Sequence, residues 1–150
     1  MAYMNLIHNR NDYLPLLLLA DENETIVSEY INEGEMYAII DQDQLAGVCL
    51  FVFPQNDVVE IKNIAIYPEK QGKGLGRKVL SEAFTMFQKR ELREIIVGTA
   101  NSSLENIAFY QKCGFRMNAI RKGFFSRYPE PIYENGIQAL DMIVFSKHLN

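Results

Sequence analysis

The 150-residue sequence predicts an α+β fold, a mixed, mostly antiparallel central sheet of about seven strands flanked by about four helices. Three observations predict it. Short apolar runs follow one another early in the chain with only a polar turn between them. A strand–helix–strand–helix succession then occupies the middle of the chain. Two further strand-like runs close it.

In chain order, "AYMNLIH" reads as a first strand, and "DYLPLLLLADE" as a helix with Asp12 as its cap. "NETIVSEYINEG" reads as a second helix, ended by Gly34. "EMYAIID" and "QLAGVCLFVFP" form a hairpin over the polar "DQDQ", and "VVEIKNIAIYP" is a strand that Pro68 stops. A helix runs from about Leu75 to Arg90, because Leu75, Val79, Leu80, Ala83, Phe84 and Phe87 lay one apolar stripe along it. "EIIVGTA" is a strand, and "SSLENIAFYQKCGF" is a helix that Gly114 closes. "FRMNAIRKGFF" and "IQALDMIVFSKHL" are the last strands, separated by the loop "SRYPEPIYENG". No linker, repeat or low-complexity stretch interrupts this order, so residues 1–150 are expected to form a single domain.

The formal net charge of −4 argues against a nucleic-acid or anionic-membrane partner, since both need a basic face. Cys49 and Cys113 have neither metal-ligand spacing nor a disulfide framework, which points to a reducing, cytoplasmic setting and no metal. The longest apolar run, "LPLLLLA", is too short to span a bilayer and contains Pro15. The opening "MAYMNLIHNR" lacks a signal-peptide pattern.

The chemistry is concentrated in "YPEKQGKGLGRKVL", residues 67 to 80, where Gly72, Gly74 and Gly76 directly precede the amphipathic helix. Glycine is costly in regular structure, so the cluster needs a reason. A helix N-terminus carries unpaired N–H groups and about half a positive charge, and preceding glycines turn it into an anion cradle. A P-loop is excluded, because neither Lys73 nor Lys78 is followed by Ser or Thr. The dinucleotide fingerprint fits poorly, because its third glycine falls one residue early and position 77 is Arg. The pattern [Q/R]-x-x-G-x-G/A fits, as Gln71-Gly72-Lys73-Gly74-Leu75-Gly76.

On that loop the chain resembles the GNAT superfamily of acetyl-CoA-dependent N-acetyltransferases. A second stretch carries the same resemblance, Tyr110 followed by Gln111, Lys112, Cys113, Gly114 and Phe115, and the match covers roughly residues 34 to 120. The resemblance implies the GNAT fold, acetyl-CoA as cosubstrate, and a diphosphate held by the main chain of Gln71, Gly72, Lys73, Gly74, Leu75, Gly76 and Arg77. It implies that Ile64, Ala65 and Ile66, on a strand splayed from its neighbour, pair with the pantetheine arm as an added strand. It implies contacts from Asn101 and Asn106 as well, although Ser103 stands where the family often has asparagine. It implies that Tyr110 serves as general acid to the departing thiolate. A homodimer through the final strands is common in the family and compatible with this chain.

Acetyl transfer needs a neutral amine. Deprotonating an alkyl ammonium of pKa about 10.4 at neutral pH costs about 4.6 kcal/mol, so a carboxylate that takes the proton helps. Glu60 is the sequence candidate for this base. Period-two alternation places Glu60, Lys62, Ile64 and Ile66 on one face, and Lys62 could equally pair with Glu60. Cys113 reads as a structural thiol. The loop around Phe125, Arg127, Tyr128 and Tyr133 is aromatic and acidic, which suits an amine acceptor, while Arg127 could instead hold a carboxylate. The expected function is acetyl transfer from acetyl-CoA to a primary amine of a small molecule, by direct attack in a ternary complex. The alternatives are a protein or peptide amine as acceptor, and a catalytically silent CoA-binding sensor.

Overall fold

A computed structural model describes residues 2–150. Strand β1 (Ala2–Leu6) leads into a 3-10 turn over Arg10–Tyr13 and helix α1 (Leu14–Ala20). The helix predicted from Asp12 therefore begins later. Pro15 has no N–H to give the carbonyl of Asn11, and Leu14 takes that carbonyl in a 3-10 bond instead. Asp12 does not cap α1; its carboxylate accepts from the side chain of Asn9 at 2.8 Å. Helix α2 (Glu24–Tyr30) is capped by Asn23, whose Oδ1 accepts from the N–H of Ile26 at 2.9 Å. It ends at Tyr30, short of Gly34. That glycine has φ +55° and lies so close to the carbonyl of Phe51 that no side chain fits there.

Strands β2 (Glu35–Asp41) and β3 (Gln44–Gln55) form the expected hairpin. Its two-residue turn, Gln42 and Asp43, has positive φ at both positions, as the twist of a tight hairpin requires. β4 (Val58–Ile66), α3 (Leu75–Lys89), β5 (Glu94–Ala100) and α4 (Leu104–Lys112) follow. β6 (Arg116–Arg121), the small pair β7 (Tyr133–Glu134) and β8 (Ile137–Gln138), and β9 (Met142–His148) complete the chain.

The described residues form a seven-stranded sheet in the order β1-β2-β3-β4-β5-β9-β6. Every neighbouring pair is antiparallel except β4 with β5. One face packs Leu16, Leu17 and Val27 of α1 and α2 on Met36, Val48 and Leu50. The other packs Val79, Leu80 and Phe87 of α3 on Phe51, Ile95 and Phe145. Each such side chain contributes roughly 1.5–3 kcal/mol by leaving water.

The two strands predicted at the C-terminal end are shorter than the sequence suggests. After β6 the chain turns at Gly123, with φ +69°, into a 3-10 turn over Phe124–Arg127. The run 137–149 breaks between β8 and β9, because the N–H groups of Leu140 and Asp141 bond to the side chain of Asn101 rather than to a strand.

Two features of β4 position the site. It pairs with β5 only from Val58 to Ile61, opposite Glu94 to Val97, and beyond that point the two strands part. Its register with β3 also slips between Asn63, opposite Leu50, and Ile61, opposite Phe51, so Lys62 is an extra residue. The bulge breaks the strict alternation. Ile64 and Ile66 pack toward α3 and α4, whereas Val52, the partner of Glu60, packs toward α1 and α2.

Candidate active site

The glycine loop leaves a run of donors free. The N–H of Gln71 closes the preceding turn on Pro68, and the first bond of α3 runs from Lys78 to Gly74. Between them, the N–H groups of Gly72 through Arg77 have no acceptor among the described residues, and no side chain caps α3. Gly72 and Gly74 both have φ +78°, with open space where a Cβ would stand. Gly76 has a different reason to lack a side chain: a Cβ there would stand 3.2 Å from the ring of Phe109. The loop is held in place by Gln71, whose Nε2 donates to the carbonyl of Ile66 at 2.9 Å. Arg77 is engaged with α4, donating to the carbonyl of Lys112 at 2.7 Å.

The parted strands open a cleft beside this loop. The N–H of Tyr67 donates to Ala46 on β3, so by the two-residue period the N–H groups of Ile64 and Ile66 point away from β3, into the gap. Ala65 is buried, and its side chain packs among the α1–α2 residues. A cavity of about 300 Å³ occupies the gap, with Ile64, Gly98 and Tyr110 among the residues that line it.

Tyr110 is buried among Phe109, Phe115 and Phe145. Burial first, then the nearby thiols of Cys49 and Cys113, push its phenol well above the ordinary tyrosine range. Burial thus favours the neutral phenol. Cys113 is half-buried and its thiol is raised by burial, with Arg77 and Lys147 pulling the other way. Both cysteines are free thiols.

The opposite wall carries a network that spans three elements. Asp21, at the end of α1, accepts hydrogen bonds from the hydroxyls of Tyr30 and Tyr128, each at 2.9 Å. Nδ2 of Asn63 donates to Tyr30 Oη and to the carbonyl of Leu17, both at 3.0 Å. The ammonium of Lys62 lies 5.3 Å from the centre of the Tyr30 ring. Burial pushes the phenols of Tyr30 and Tyr128 up, with Asp21 adding to both.

The structure brings many of the expected site residues together. Ile64, Asn106, Tyr110, Phe125, Arg127 and Tyr128 all line the cavity. Arg127 pairs with Glu29. Tyr133 is exposed and Glu60 lies in the zipped part of β4, and neither lines the cavity. Asn101 holds the 138–141 segment: its Oδ1 accepts from Leu140 and Asp141, and its Nδ2 donates to Gln138 at 3.1 Å. Asn106 donates to Thr99 at 3.5 Å. Sequence reasoning missed Asp21, Tyr30 and Asn63, whereas Glu134 belongs to the acidic loop it singled out. No local pattern marks the first three, because tertiary packing alone brings them together. Among the described residues no group of His, Cys, Asp and Glu is arranged to hold a metal, and no helix is long and apolar enough to cross a membrane.

Comparison with known proteins gives this arrangement of splayed parallel strands, unpaired amide loop and buried tyrosine its class, an acyl-CoA-dependent N-acetyltransferase. The chain belongs to the acetyltransferase (GNAT) family, whose model matches residues 6–115. It is 45% identical over 135 residues to the uncharacterized N-acetyltransferase YvbK of Bacillus subtilis, covering 89% of this chain and 87% of that protein. The crystal structure of a B. subtilis acetyltransferase in complex with CoA matches it with a TM-score of 0.91 and 39% identity, over 100% of both chains. A GNAT family acetyltransferase from Elizabethkingia anophelis with acetyl-CoA bound matches with a TM-score of 0.89 and 33% identity, over 98% of this chain and 97% of that one.

Proposed function

We propose that this enzyme transfers the acetyl group of acetyl-CoA to the primary amine of a small molecule by direct attack in a ternary complex, with residues 1–150 acting as one catalytic domain. One observation carries the reading: a single cavity of about 300 Å³ joins the parted strands and Tyr110 to the carboxylate and phenols of Asp21, Tyr30 and Tyr128. A cavity of this size suits a small acceptor better than a polypeptide, which would need an open groove.

The free N–H run from Gly72 to Arg77, with the charge of Lys73 nearby, fits a diphosphate. Ile64, Ala65 and Ile66 offer a strand edge to the pantetheine arm. Bound acetyl-CoA supplies an activated acyl thioester. The N–H of Ile66, turned into the gap, would stabilise the developing oxyanion, and Tyr110 would give its proton to the departing sulfur. Asn106 reaches the cavity from α4. Two carboxylates are candidates for the amine's proton, Glu60 on β4 and Asp21 on the cavity wall.

The reading is tested by measuring thiol release from acetyl-CoA across polyamines, amino acids, aminosugars, arylalkylamines and peptides. Turnover of small amines is expected. Turnover of peptide N-termini alone would replace the small-molecule reading. Tight acetyl-CoA binding with no turnover of any amine would make the chain a sensor.

A further inference from the structure

Asn63 holds a buried atom that lacks a partner. Asn63 lines the cavity, and its Oδ1 is buried with no hydrogen-bond donor among the described residues. The orientation of the amide is fixed by its neighbours. Tyr30 has a single hydroxyl proton and gives it to the Asp21 carboxylate, so Tyr30 Oη must accept from Asn63. The carbonyl of Leu17 can only accept as well. Both contacts therefore require Nδ2 on that side and leave Oδ1 for another donor. An unpaired buried acceptor is costly, so a ligand N–H that meets it is favoured over one at a site already satisfied.

Asp21 stands at the other end of the same network. Oδ1 accepts Tyr128 and, at 3.5 Å, the N–H of Asn23, whereas Oδ2 accepts only Tyr30 and keeps further lone-pair capacity. Tyr30 and Tyr128 hold the carboxylate in place, and their raised ionisation keeps both as donors. Glu22, next to Asp21 in the chain, also lines the wall, and the other charged groups there are engaged elsewhere. Arg127 is paired with Glu29, the ammonium of Lys62 sits over Tyr30, and Glu134 Oε1 accepts from Ser102 and Ser103 at 3.2 and 2.7 Å. The wall facing the acceptor also carries apolar and aromatic groups, Leu19, Ile26, Phe124, Phe125 and Ile132, while Thr99, Ser103 and Asn106 add polar groups toward β5 and α4.

We infer that Asp21 and Asn63 form the subsite for the acceptor's ammonium group, that Asp21 rather than Glu60 takes its proton, and that the acceptor is a primary amine on a small apolar or aromatic body. The inference rests on the small-amine reading given above. The ammonium gives one proton to Asp21 while Asn63 Oδ1 accepts a second N–H. Nitrogen then bonds to the acyl carbon as the carbon–sulfur bond breaks, sulfur takes the proton of Tyr110, and the surplus proton on nitrogen restores the phenol.

The test uses phenethylamine as the probe, with putrescine and glucosamine as comparison acceptors. Phenethylamine should show the highest kcat/KM of the three. Asp21→Asn should lower that kcat/KM about 100-fold or more, with acetyl-CoA affinity unchanged, and by more than either Glu60→Gln or Tyr128→Phe. A second measurement needs no variant: phenethylamine should raise the Tm of the CoA-saturated wild-type protein, whereas its neutral counterpart 2-phenylethanol should not. The inference is overturned if putrescine or glucosamine is preferred, if Glu60→Gln is the more damaging change, if Tyr128→Phe matches Asp21→Asn, or if the alcohol protects as well as the amine. Acetyl-CoA binding with silence toward every small amine would overturn the small-amine reading itself.

Discussion

Arg77, in the first turn of α3, donates to the main-chain carbonyl of Lys112 at the end of α4 across 2.7 Å. The bond ties the helix that begins at the glycine loop to the helix that carries Tyr110. A cation at a helix C-terminus also satisfies one of its orphan carbonyls. The proposed diphosphate cradle and the proposed acid are therefore linked through this side chain, and Arg77 has a structural task besides any contact with phosphate.

Replacing Arg77 with alanine should disturb both. Loss of the bond, on an exposed surface, should lower stability by about 1 kcal/mol, and acetyl-CoA affinity should fall about tenfold. Chemical denaturation and calorimetric titration with acetyl-CoA would show it. Full wild-type affinity in the alanine variant would mean that the main-chain amides alone hold the diphosphate.

The three loop glycines should not respond alike. Gly72→Ala and Gly74→Ala each place a side chain on backbone at φ +78° and should cost about 1–2 kcal/mol, although nothing nearby is struck. Gly76→Ala lies in helix α3, where alanine is intrinsically better by about 1 kcal/mol, but its Cβ would press on Phe109 at 3.2 Å. Phe109 packs edge-on to Tyr110 with ring centres 5.3 Å apart. Stability should therefore change by less than about 1 kcal/mol while kcat falls, as Phe109 displaces the phenol. Urea unfolding beside steady-state kinetics separates the two effects. Equal destabilisation at all three positions would count against this account.

Tyr110→Phe should lower kcat by about 100-fold while leaving acetyl-CoA affinity intact, since only the phenolic proton is removed. Stability should also become less sensitive to alkali. Tyr30, Tyr110 and Tyr128 are all pushed up by burial, and Tyr37 is pushed up to about 12. In the unfolded chain tyrosine ionises near pH 10, so above about that pH the unfolded state holds fewer protons than the folded one. Stability should thus stay level through neutral pH and fall as pH rises past about 10. A Tm-against-pH series by circular dichroism should show a shallower alkaline fall in Tyr110→Phe than in the wild type. Parallel curves would mean that the buried phenol ionises as freely as an unfolded one.

Much of this was legible in the sequence for a physical reason. Left-handed backbone is so unfavourable for other residues that Gly72 and Gly74 mark their loop without any tertiary information. The apolar stripe of α3 likewise reports its buried face directly, since Leu75, Val79, Leu80, Ala83 and Phe87 are all buried. The bulge at Lys62 was not legible, because alternation assumes one residue per register step and nothing in "VVEIKNIAIYP" signals an extra one. Asp21 and Asn63 lie 42 positions apart in the chain, and their link through Tyr30 exists only once α1 and α2 dock on β4. The strand predicted over 137–149 was too long for a related reason. A side chain from a distant element, Asn101, captures the two N–H groups that would have continued it.

That capture makes Asn101 the sharpest test of how the acceptor side of the cavity is closed. Its Oδ1 takes the N–H groups of Leu140 and Asp141 at 2.8 and 3.0 Å, and its Nδ2 holds Gln138. Glu134 on β7 is fixed in turn by Ser102 and Ser103, and the side chain of Asn135 donates to the carbonyl of Ser102 at 2.9 Å. The segment that supplies Phe125, Tyr128 and Ile132 to the wall is thus held at its far end by residues of the β5–α4 connection. Asn101→Ala would leave two main-chain donors without their acceptor, at a cost of about 1–3 kcal/mol, and would loosen that wall. KM for the amine should rise by about tenfold while acetyl-CoA affinity stays within about twofold of wild type. If Asn101 instead touches the cosubstrate, the pattern inverts: acetyl-CoA affinity falls and the amine KM holds. Steady-state kinetics with each substrate varied in turn distinguishes the two, because one role acts through the loop and the other through the thioester donor.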